Sequence, residues 1–313
     1  MKMANYEFGI DLGGTTCKIG LFQGEEMMDK WEIPTDTSDG GKNILRDIAD
    51  SVKAKIEEKG IAKDDIKGLG IGVPGPVTDD GTVHNCVNLG WGTVNISEKL
   101  GELSGYPVKV GNDANVAALG ESWMGGGKDY NSVVVVTLGT GIGGGIIIND
   151  RIIAGAHGAG GEIGHMLVNP EEELACNCGL HGCIEQYASA TGIVRTANRY
   201  LEATDTESTL RKEEHISAKT VFDAARDGDA LALTIVDDVC EKLAKTLARL
   251  ATVVDPEAFL IGGGVSKAGQ ILLDHVAEPY KKYAFHACRD TKIGLATLGN
   301  DAGMYGAARM VLD

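Results

Sequence analysis

Two rhythms of apolar residues run along this chain. Short strand-like runs at residues 6–10, 133–136 and 258–261, the first interrupted by Glu7, read as buried strands. In contrast, Ile235, Val239, Leu243, Leu247 and Leu250 recur at helical spacing through residues 235–254, and residues 44–56 repeat that rhythm. Residues 106–110 predict a further short strand, and residues 115–123 the helix that follows it. The helical stripes are core positions. Alternating strands and helices argue an α/β architecture, with sheets covered by helices.

Glycine punctuates these strands. The 44 glycines cluster immediately after apolar runs and do not form a low-complexity linker. Asp11-Leu-Gly-Gly-Thr15 follows the first run and Leu138-Gly-Thr-Gly-Ile-Gly-Gly-Gly145 the second, each leading into a new strand-like run at residues 16–22 and 146–148. The shared plan of strand, Gly-Thr turn and strand predicts an internal duplication, with one phosphate-facing hairpin in each half. Gly262-Gly-Gly264 closes the third run. A backbone without Cβ atoms lets successive N–H groups, joined by the hydroxyls of Thr15 and Thr16, reach phosphate oxygens. The chain has no Gly-x4-Gly-Lys-Ser/Thr, which excludes a P-loop as the nucleotide site. A dinucleotide fingerprint is weak too, because Gly141-Ile-Gly-Gly-Gly145 runs into a strand and not a helix. Asp11, at a strand end beside the first turn, is placed to hold Mg²⁺ while glycine N–H groups hold phosphate.

Composition narrows the partners. A chain of 313 residues with 43% hydrophobic content suits two domains, each with its own core. The formal charge of −16 opposes binding to nucleic acid or to anionic membranes. No span approaches the roughly 20 apolar residues of a membrane helix. The first ten residues run straight into a structured motif without a leader pattern, so a cytoplasmic location is expected.

Three of the seven cysteines crowd into Cys176-Asn-Cys178-Gly-Leu-His-Gly-Cys183, which suits a metal site in a reducing compartment better than a disulfide framework. His165 and His181 compete to be the fourth ligand. Three cysteines and a histidine make a closed tetrahedral zinc site, structural and not catalytic. Glu162 and His165 precede the cluster and Glu185 follows it, which puts polyol-binding carboxylates beside a rigid centre. Glu171, Glu172 and Glu173 read as ordinary solvated glutamates.

The run Val110-Gly-Asn-Asp-Ala-Asn115 sits at the junction of a strand and a helix, where backbone N–H groups lack partners. On this run alone Asp113 is more often a helix N-cap than a catalyst.

Taken together, these motifs resemble the ROK (repressor, open reading frame, kinase) family, and within it the sugar kinases, from Asp11 to the C-terminus. Asp11-Leu-Gly-Gly-Thr15 is similar to the family's first phosphate motif, Leu138–Gly145 to its second and Ile261-Gly-Gly-Gly264 to its adenosine motif. Glu162-x-x-His165 with Cys176-x-Cys178-Gly-x-x-Gly-Cys183-x-Glu185 is similar to its sugar and zinc segment. The resemblance implies a two-lobed actin-like ATPase and hexokinase (ribonuclease H-like) fold with a duplicated core. Residues 1–115 would form the smaller lobe, joined by a C-terminal helix at 302–313, and residues 116–301 the larger lobe with the zinc site. It also implies ATP, Mg²⁺ and structural Zn²⁺ as cofactors, with His165 completing the set of Cys176, Cys178 and Cys183. Asp11, Gly13, Gly14, Thr15, Thr16, Lys18, Thr140, Gly141, Gly263 and Gly264 would hold the nucleotide. Gly75, Asn88, Asn112, Asp113, Glu162, His165 and Glu185 would line the sugar pocket, with Asp113 as general base, and the partner in solution would be a second copy, as a homodimer or homotetramer.

That resemblance leaves the hexose open, since glucose, fructose, mannose, N-acetylmannosamine and allose kinases use nearly the same residues. Asn88-Leu-Gly-Trp91 is similar to the form in glucose-using members. A sugar-responsive repressor would carry a DNA-binding domain ahead of the first phosphate motif, where ten residues stand here. A non-sugar ATPase of the same fold would lack the sugar-binding constellation.

Overall fold

The computed structural model describes residues 5–312; Met1 to Ala4 of the expected first lobe and Asp313 of the expected last helix lie outside the described residues. The chain divides into two compact units, one of residues 1–131, 145–161 and 298–313, the other of residues 132–144 and 162–297.

In the first unit, β1 (Tyr6–Leu12), β2 (Thr16–Gln23), β3 (Glu26–Pro34), β4 (Ile66–Val73) and β7 (Val108–Asn112) form a sheet in the order β3-β2-β1-β4-β7. The β1-β2-β3 hairpins are antiparallel, whereas β4 runs parallel to β1 and β7 parallel to β4. A two-stranded ribbon of β5 (Thr82–Val83) and β6 (Val94–Asn95) stands apart from it. The single irregular turn α1 (Ser38–Gly41) precedes α2 (Ile44–Lys59), and α3 (Ile96–Ser104) follows β6.

Strand periodicity sorts this sheet into two unlike faces. Phe8, Ile10 and Leu12 of β1, with Leu69, Ile71 and Val73 of β4, share one buried core with Ile44, Ile48 and Val52 of α2 and Ile96 and Leu100 of α3. The intervening positions are Gly9 on β1 and Gly68, Gly70 and Gly72 on β4, and they receive α10 (Ala302–Leu312) and α4 (Asp113–Met124). A Cβ at Gly9 would lie 2.0 Å from the Met304 carbonyl oxygen and one at Gly70 1.8 Å from that of Ala307, so the helix backbone rests directly on the sheet. The two helices meet in the same manner: Cβ atoms at Gly120 and Gly306 would fall 2.1 Å and 1.7 Å from the oxygens of Ala302 and Val116.

This contact moves the expected domain boundary. Helix α4 packs on α10 and belongs with the first unit, so the break falls after Asn131 and not at residue 115. The C-terminal helix does join the first unit.

The second sheet has the order β10-β9-β8-β11-β12, from β8 (Ser132–Leu138), β9 (Ile142–Ile148), β10 (Arg151–Ile152), β11 (Ala258–Gly262) and β12 (Lys292–Leu295). β11 lies parallel to both β8 and β12. With both faces covered, β8 and β11 are apolar without alternation, as Val133-Val-Val-Val136 and Ala258-Phe-Leu-Ile261 require. The second unit's helices are α5 (Glu185–Ala188), α6 (Ala190–Ala203), α7 (Ala218–Arg226), α8 (Ala230–Val254) and α9 (Gln270–Tyr283). On α8 the predicted stripe of Ile235, Val239, Leu243, Leu247 and Leu250 is buried. No helix of the described residues is long and apolar enough to cross a membrane.

One buried carboxylate interrupts the helix-covered face of β1. Glu7 accepts the Gly24 N–H at 2.9 Å through Oε1, while Oε2 has no hydrogen-bond partner. Burial pushes the carboxyl from its ordinary 4.5 up to about 7, against the opposing pull of that N–H and of Lys67. Between those values the folded chain holds a proton that the unfolded chain has released. Stability linked to Glu7 is therefore complete below pH 4.5 and declines as pH rises through 7. Glu7→Gln keeps an acceptor for Gly24 and abolishes the titration. Chemical denaturation across pH 5–8 should show a gain over wild type that grows with pH to about 3 kcal/mol; a pH-independent difference would refute the assignment.

Candidate functional site

The parallel register of the first sheet brings three chain segments to one edge. Asp11 pairs with Gly72 and Val73 with Asn112, so Asp11, Gly75 and the Asn112-Asp113 pair stand at the carboxyl ends of β1, β4 and β7. In open α/β sheets this edge is where ligands bind.

At the end of β1 the chain turns through Gly13-Gly14-Thr15 into β2, closed by the Gly13 N–H on the Thr16 oxygen at 3.0 Å. Thr35 clamps the turn from β3's far end: its N–H reaches the Thr15 oxygen at 2.9 Å and its hydroxyl the Gly13 oxygen at 2.8 Å. A Cβ on Gly14 would sit 3.6 Å from the Asn88 oxygen, so the turn and the predicted sugar loop are neighbours. That loop is pinned in turn by the Trp91 indole N–H on the Gly41 oxygen at 3.0 Å. Asp11 lies 3.8 Å from Lys18, whose ammonium also reaches the Asn300 oxygen at 3.4 Å. Burial raises the Asp11 carboxyl above its usual range, and Lys18 opposes the shift. Gly303 of α10 makes room for it, since a Cβ there would lie 2.7 Å from the Asp11 Cγ. Nothing in the local sequence around Gly303 signals that role.

The junction of β7 and α4 departs from expectation in one respect. Asn112, not Asp113, is the N-cap: its Oδ1 accepts the Asn115 N–H at 3.1 Å, and its Nδ2 donates to the Gly75 oxygen at 3.1 Å. Asp113 is the first residue of the helix and accepts the Ala114 N–H at 2.8 Å. The strand runs two residues further than the apolar pattern shows, through Gly111 to Asn112, and shifts the cap by one position.

In the second unit the parallel pairing of β8 with β11 sets the other two glycine runs side by side. A Cβ on Gly263, at φ +80°, would lie 2.5 Å from the Leu138 oxygen. The turn at residues 139–141 closes through the Gly139 N–H on the Gly141 oxygen at 2.9 Å. Thr140 and Gly141 are held from the α5–α6 junction, where the Thr191 hydroxyl donates to the Thr140 oxygen at 2.7 Å and Glu185 accepts the Ile142 N–H at 3.0 Å.

The cysteine hairpin gathers His165, Cys176, Cys178 and Cys183, whose ligand atoms all lie within 4.8 Å of one another. This decides between the two histidines: the exposed His181 turns its Nδ1 to the Glu172 oxygen at 3.1 Å instead. His165 presents Nδ1 to Cys176 at 3.8 Å, and its Nε2 stands 3.9 Å from the exposed Glu162. Burial and the neighbouring thiols push the Cys183 thiol up to about 12. A bound cation reverses that balance by stabilising thiolates.

Glu172 is not the solvated glutamate expected. It is buried and takes both guanidinium nitrogens of Arg199 at 2.8 Å, and the Tyr187 hydroxyl at 2.5 Å. Arg199 lies 27 residues away on α6, beyond the reach of any local reading. Glu171 and Glu173 are exposed as expected.

The family model described as ROK family matches residues 7–313. A glucokinase of Halalkalibacterium halodurans is 44% identical over 309 residues, covering 97% of this chain and 94% of that one. A glucokinase of Thermotoga maritima is 35% identical over 310 residues, covering 97% and 96%. The crystal structure of a ROK family glucokinase from Streptomyces griseus, in complex with glucose and AMPPNP, superposes with a TM-score of 0.73 at 33% identity, covering 98% and 99%.

The Arg199 fork holds the Glu172 carboxyl down at about 2, well below its ordinary 4.5. Stability from this pair is present above pH 4.5 and lost as pH falls toward 2. Thermal melts of wild type and Glu172→Gln should differ most at pH 6 and converge as pH drops below 4.5. A gap that stays constant to pH 3 would count against the ion pair.

Proposed function

We propose that this chain, which belongs to the ROK family, is an ATP-dependent glucokinase that transfers the γ-phosphoryl group of Mg-ATP to the 6-hydroxyl of glucose. The observation that carries the reading is the near full-length likeness to glucokinases, in a chain whose one carboxylate on the first turn of α4 stands at the ligand edge of its sheet.

Phosphoryl transfer asks a protein for position and for charge neutralisation more than for covalent chemistry. Gly13, Gly14, Thr15 and Thr16 in the first unit, and Thr140, Gly141, Gly263 and Gly264 in the second, fit the nucleotide because the glycines among them leave the backbone bare of Cβ atoms. Asp11 and Lys18 stand beside the first turn to receive a cation and a phosphate oxygen. Mg²⁺, when bound, offsets the charge on the phosphates. Asp113 takes the proton of the attacking hydroxyl, late in a loose transition state, so a strongly basic group is not required. Gly75, Asn88, Asn112, Glu162, His165 and Glu185 are assigned to the ring hydroxyls. The side chain of Asn112 already spends one donor and one acceptor on Gly75 and Asn115, which leaves it one N–H and one lone pair for sugar. Such matched pairing discriminates between sugars because a missing hydroxyl leaves a buried partner unsatisfied.

The cysteine cluster fits zinc. Bonds of about 2.3 Å in a tetrahedron separate sulfurs by about 3.8 Å, and Cys178 and Cys183 stand 3.7 Å apart. With four protein ligands an ion held here would have no open position and would be structural. Glu162 beside the far nitrogen of His165 supplies the carboxylate partner that fixes a ligating imidazole. All seven cysteines are free.

Asp113→Asn should retain glucose binding and lose kcat by about two orders of magnitude or more; near-normal turnover would sink the assignment. A sugar panel at fixed Mg-ATP should give glucose the highest kcat/KM, and a clear preference for another hexose or an N-acetylhexosamine would overturn the substrate. Cys178→Ser should release zinc, measured as metal per chain, and weaken glucose affinity; full metal occupancy would reject the site.

A further inference from the structure

Glu185 is shared between two parts of the second unit that the proposed function assigns to different ligands. Its Oε2 accepts the Ile142 N–H of the second phosphate turn at 3.0 Å, and its Oε1 accepts the Cys176 thiol of the cysteine cluster at 3.3 Å. Contact with the turn is close enough that a Cβ on Gly141 would lie 2.2 Å from Oε2. Two further bonds come from the same short stretch: the Ala190 N–H on the Gly139 oxygen at 2.8 Å, and the Thr191 hydroxyl on the Thr140 oxygen at 2.7 Å. Ser189 locks the stretch itself, donating to the Glu185 oxygen at 2.7 Å and accepting the Gly192 N–H at 3.0 Å. The cysteine hairpin ends at Cys183, two residues before Glu185.

A glycine turn has much conformational freedom to lose and few side chains of its own to hold it. Its N–H groups stabilise phosphate only if they are already aimed. Here the aiming is external, since residues 139, 140 and 142 are each bonded to residues 185–191.

We propose that Glu185 and Thr191 are positioning residues of the second phosphate turn, and that the strap of residues 183–191 conveys the metal state of the cysteine cluster to that turn. This rests on reading residues 138–145 as a phosphate turn. The cluster and the turn meet at Glu185, whose Oε1 lies 3.3 Å from the Cys176 sulfur while Oε2 holds the Ile142 N–H. Metal binding anchors Cys183, and so fixes the start of the strap. Loss of the metal loosens the hairpin and, through the strap, the turn.

The test measures the turn directly. Hydrogen exchange of peptides covering residues 138–144 is followed in zinc-loaded wild type, in wild type stripped by a chelator, and in zinc-loaded Glu185→Ala, Glu185→Gln and Thr191→Val. Affinity for a non-hydrolysable ATP analogue is measured in parallel by calorimetry. Glu185→Ala and Thr191→Val should each speed exchange in the turn and weaken the analogue about three- to tenfold, the loss expected of one hydrogen bond, with zinc retained. Glu185→Gln, which keeps an acceptor oxygen for Ile142, should restore both. Thr191→Val should raise the KM for ATP without moving that for glucose. Stripping wild type should speed exchange in the turn as the substitutions do. Unchanged exchange in Glu185→Ala or Thr191→Val, or in stripped protein whose cysteines have become titratable, would overturn the strap. Exchange that responds while wild type fails to bind the analogue would uphold the strap and reject the phosphate reading of the turn.

Discussion

The first unit depends on one steric constraint: α10 lies against β1, β4 and α4 at backbone distance. No side chain separates them at Gly9, Gly70, Gly120 or Gly306, and at each of these positions a Cβ would fall within 2.1 Å of a carbonyl oxygen. Such an approach exchanges side-chain packing for dense contact between main chains, in which weak Cα–H···O interactions can form. It also leaves almost no freedom in where the helices lie. Because α4 is located by α10, and α10 by the sheet, the first turn of α4 is held in one place relative to the ends of β1 and β4. Asp113 inherits its position from that stack. Asp11 does too, since Gly303 on the same helix is what admits its carboxylate.

The two units hold their glycine turns by different means. In the first, Thr35 grips the turn with one hydroxyl and one N–H, and the remaining support is the β1-β2-β3 hairpin itself. In the second, the turn is held from outside by residues 185–191, next to a hairpin that gathers the cysteine–histidine cluster and is tied down by the buried Glu172 carboxylate. An apolar core does not reach the exposed tip of that hairpin, where Asn177, Cys178, Gly179 and Leu180 are all exposed. Local crosslinks therefore replace burial as the source of order. The bidentate Arg199 fork and the Tyr187 hydroxyl do for the hairpin's base what the four-ligand cluster does for its tip.

What could be read from the sequence was what depends on neighbours along the chain. Strand followed by glycine turn, the helical stripe on α8, and the spacing of Cys176, Cys178 and Cys183 are local patterns, and the structure contains each of them. What could not be read depends on a partner distant in sequence. Glu172 resembles its exposed neighbours until Arg199 folds over it. Gly9, Gly68, Gly70 and Gly72 carry no local signal of their role; the packing of α10 and α4 explains why this face of the sheet is paved with glycine. The domain boundary was misplaced for the same reason, because residues 116–124 follow Asp113 in sequence yet pack on a helix at the other end of the chain.

The shift of the N-cap from Asp113 to Asn112 alters the chemistry more than a change of one position suggests. A capping aspartate has its carboxylate committed to the N–H groups of its own helix, which makes the cap and the catalytic role compete for the same oxygens. With Asn112 as cap, a neutral amide satisfies the helix end, and its other half ties that end to Gly75 just beyond the neighbouring strand. The carboxylate one residue on accepts the Ala114 N–H at 2.8 Å and sits in the field of the helix's first N–H groups, while Asn112 closes the turn. Asn112 and Asp113 thus divide two tasks that a single residue would perform poorly, one fixing the helix and the other facing the edge where the strands end. For the general base proposed at Asp113, that division leaves the cap to a neutral amide.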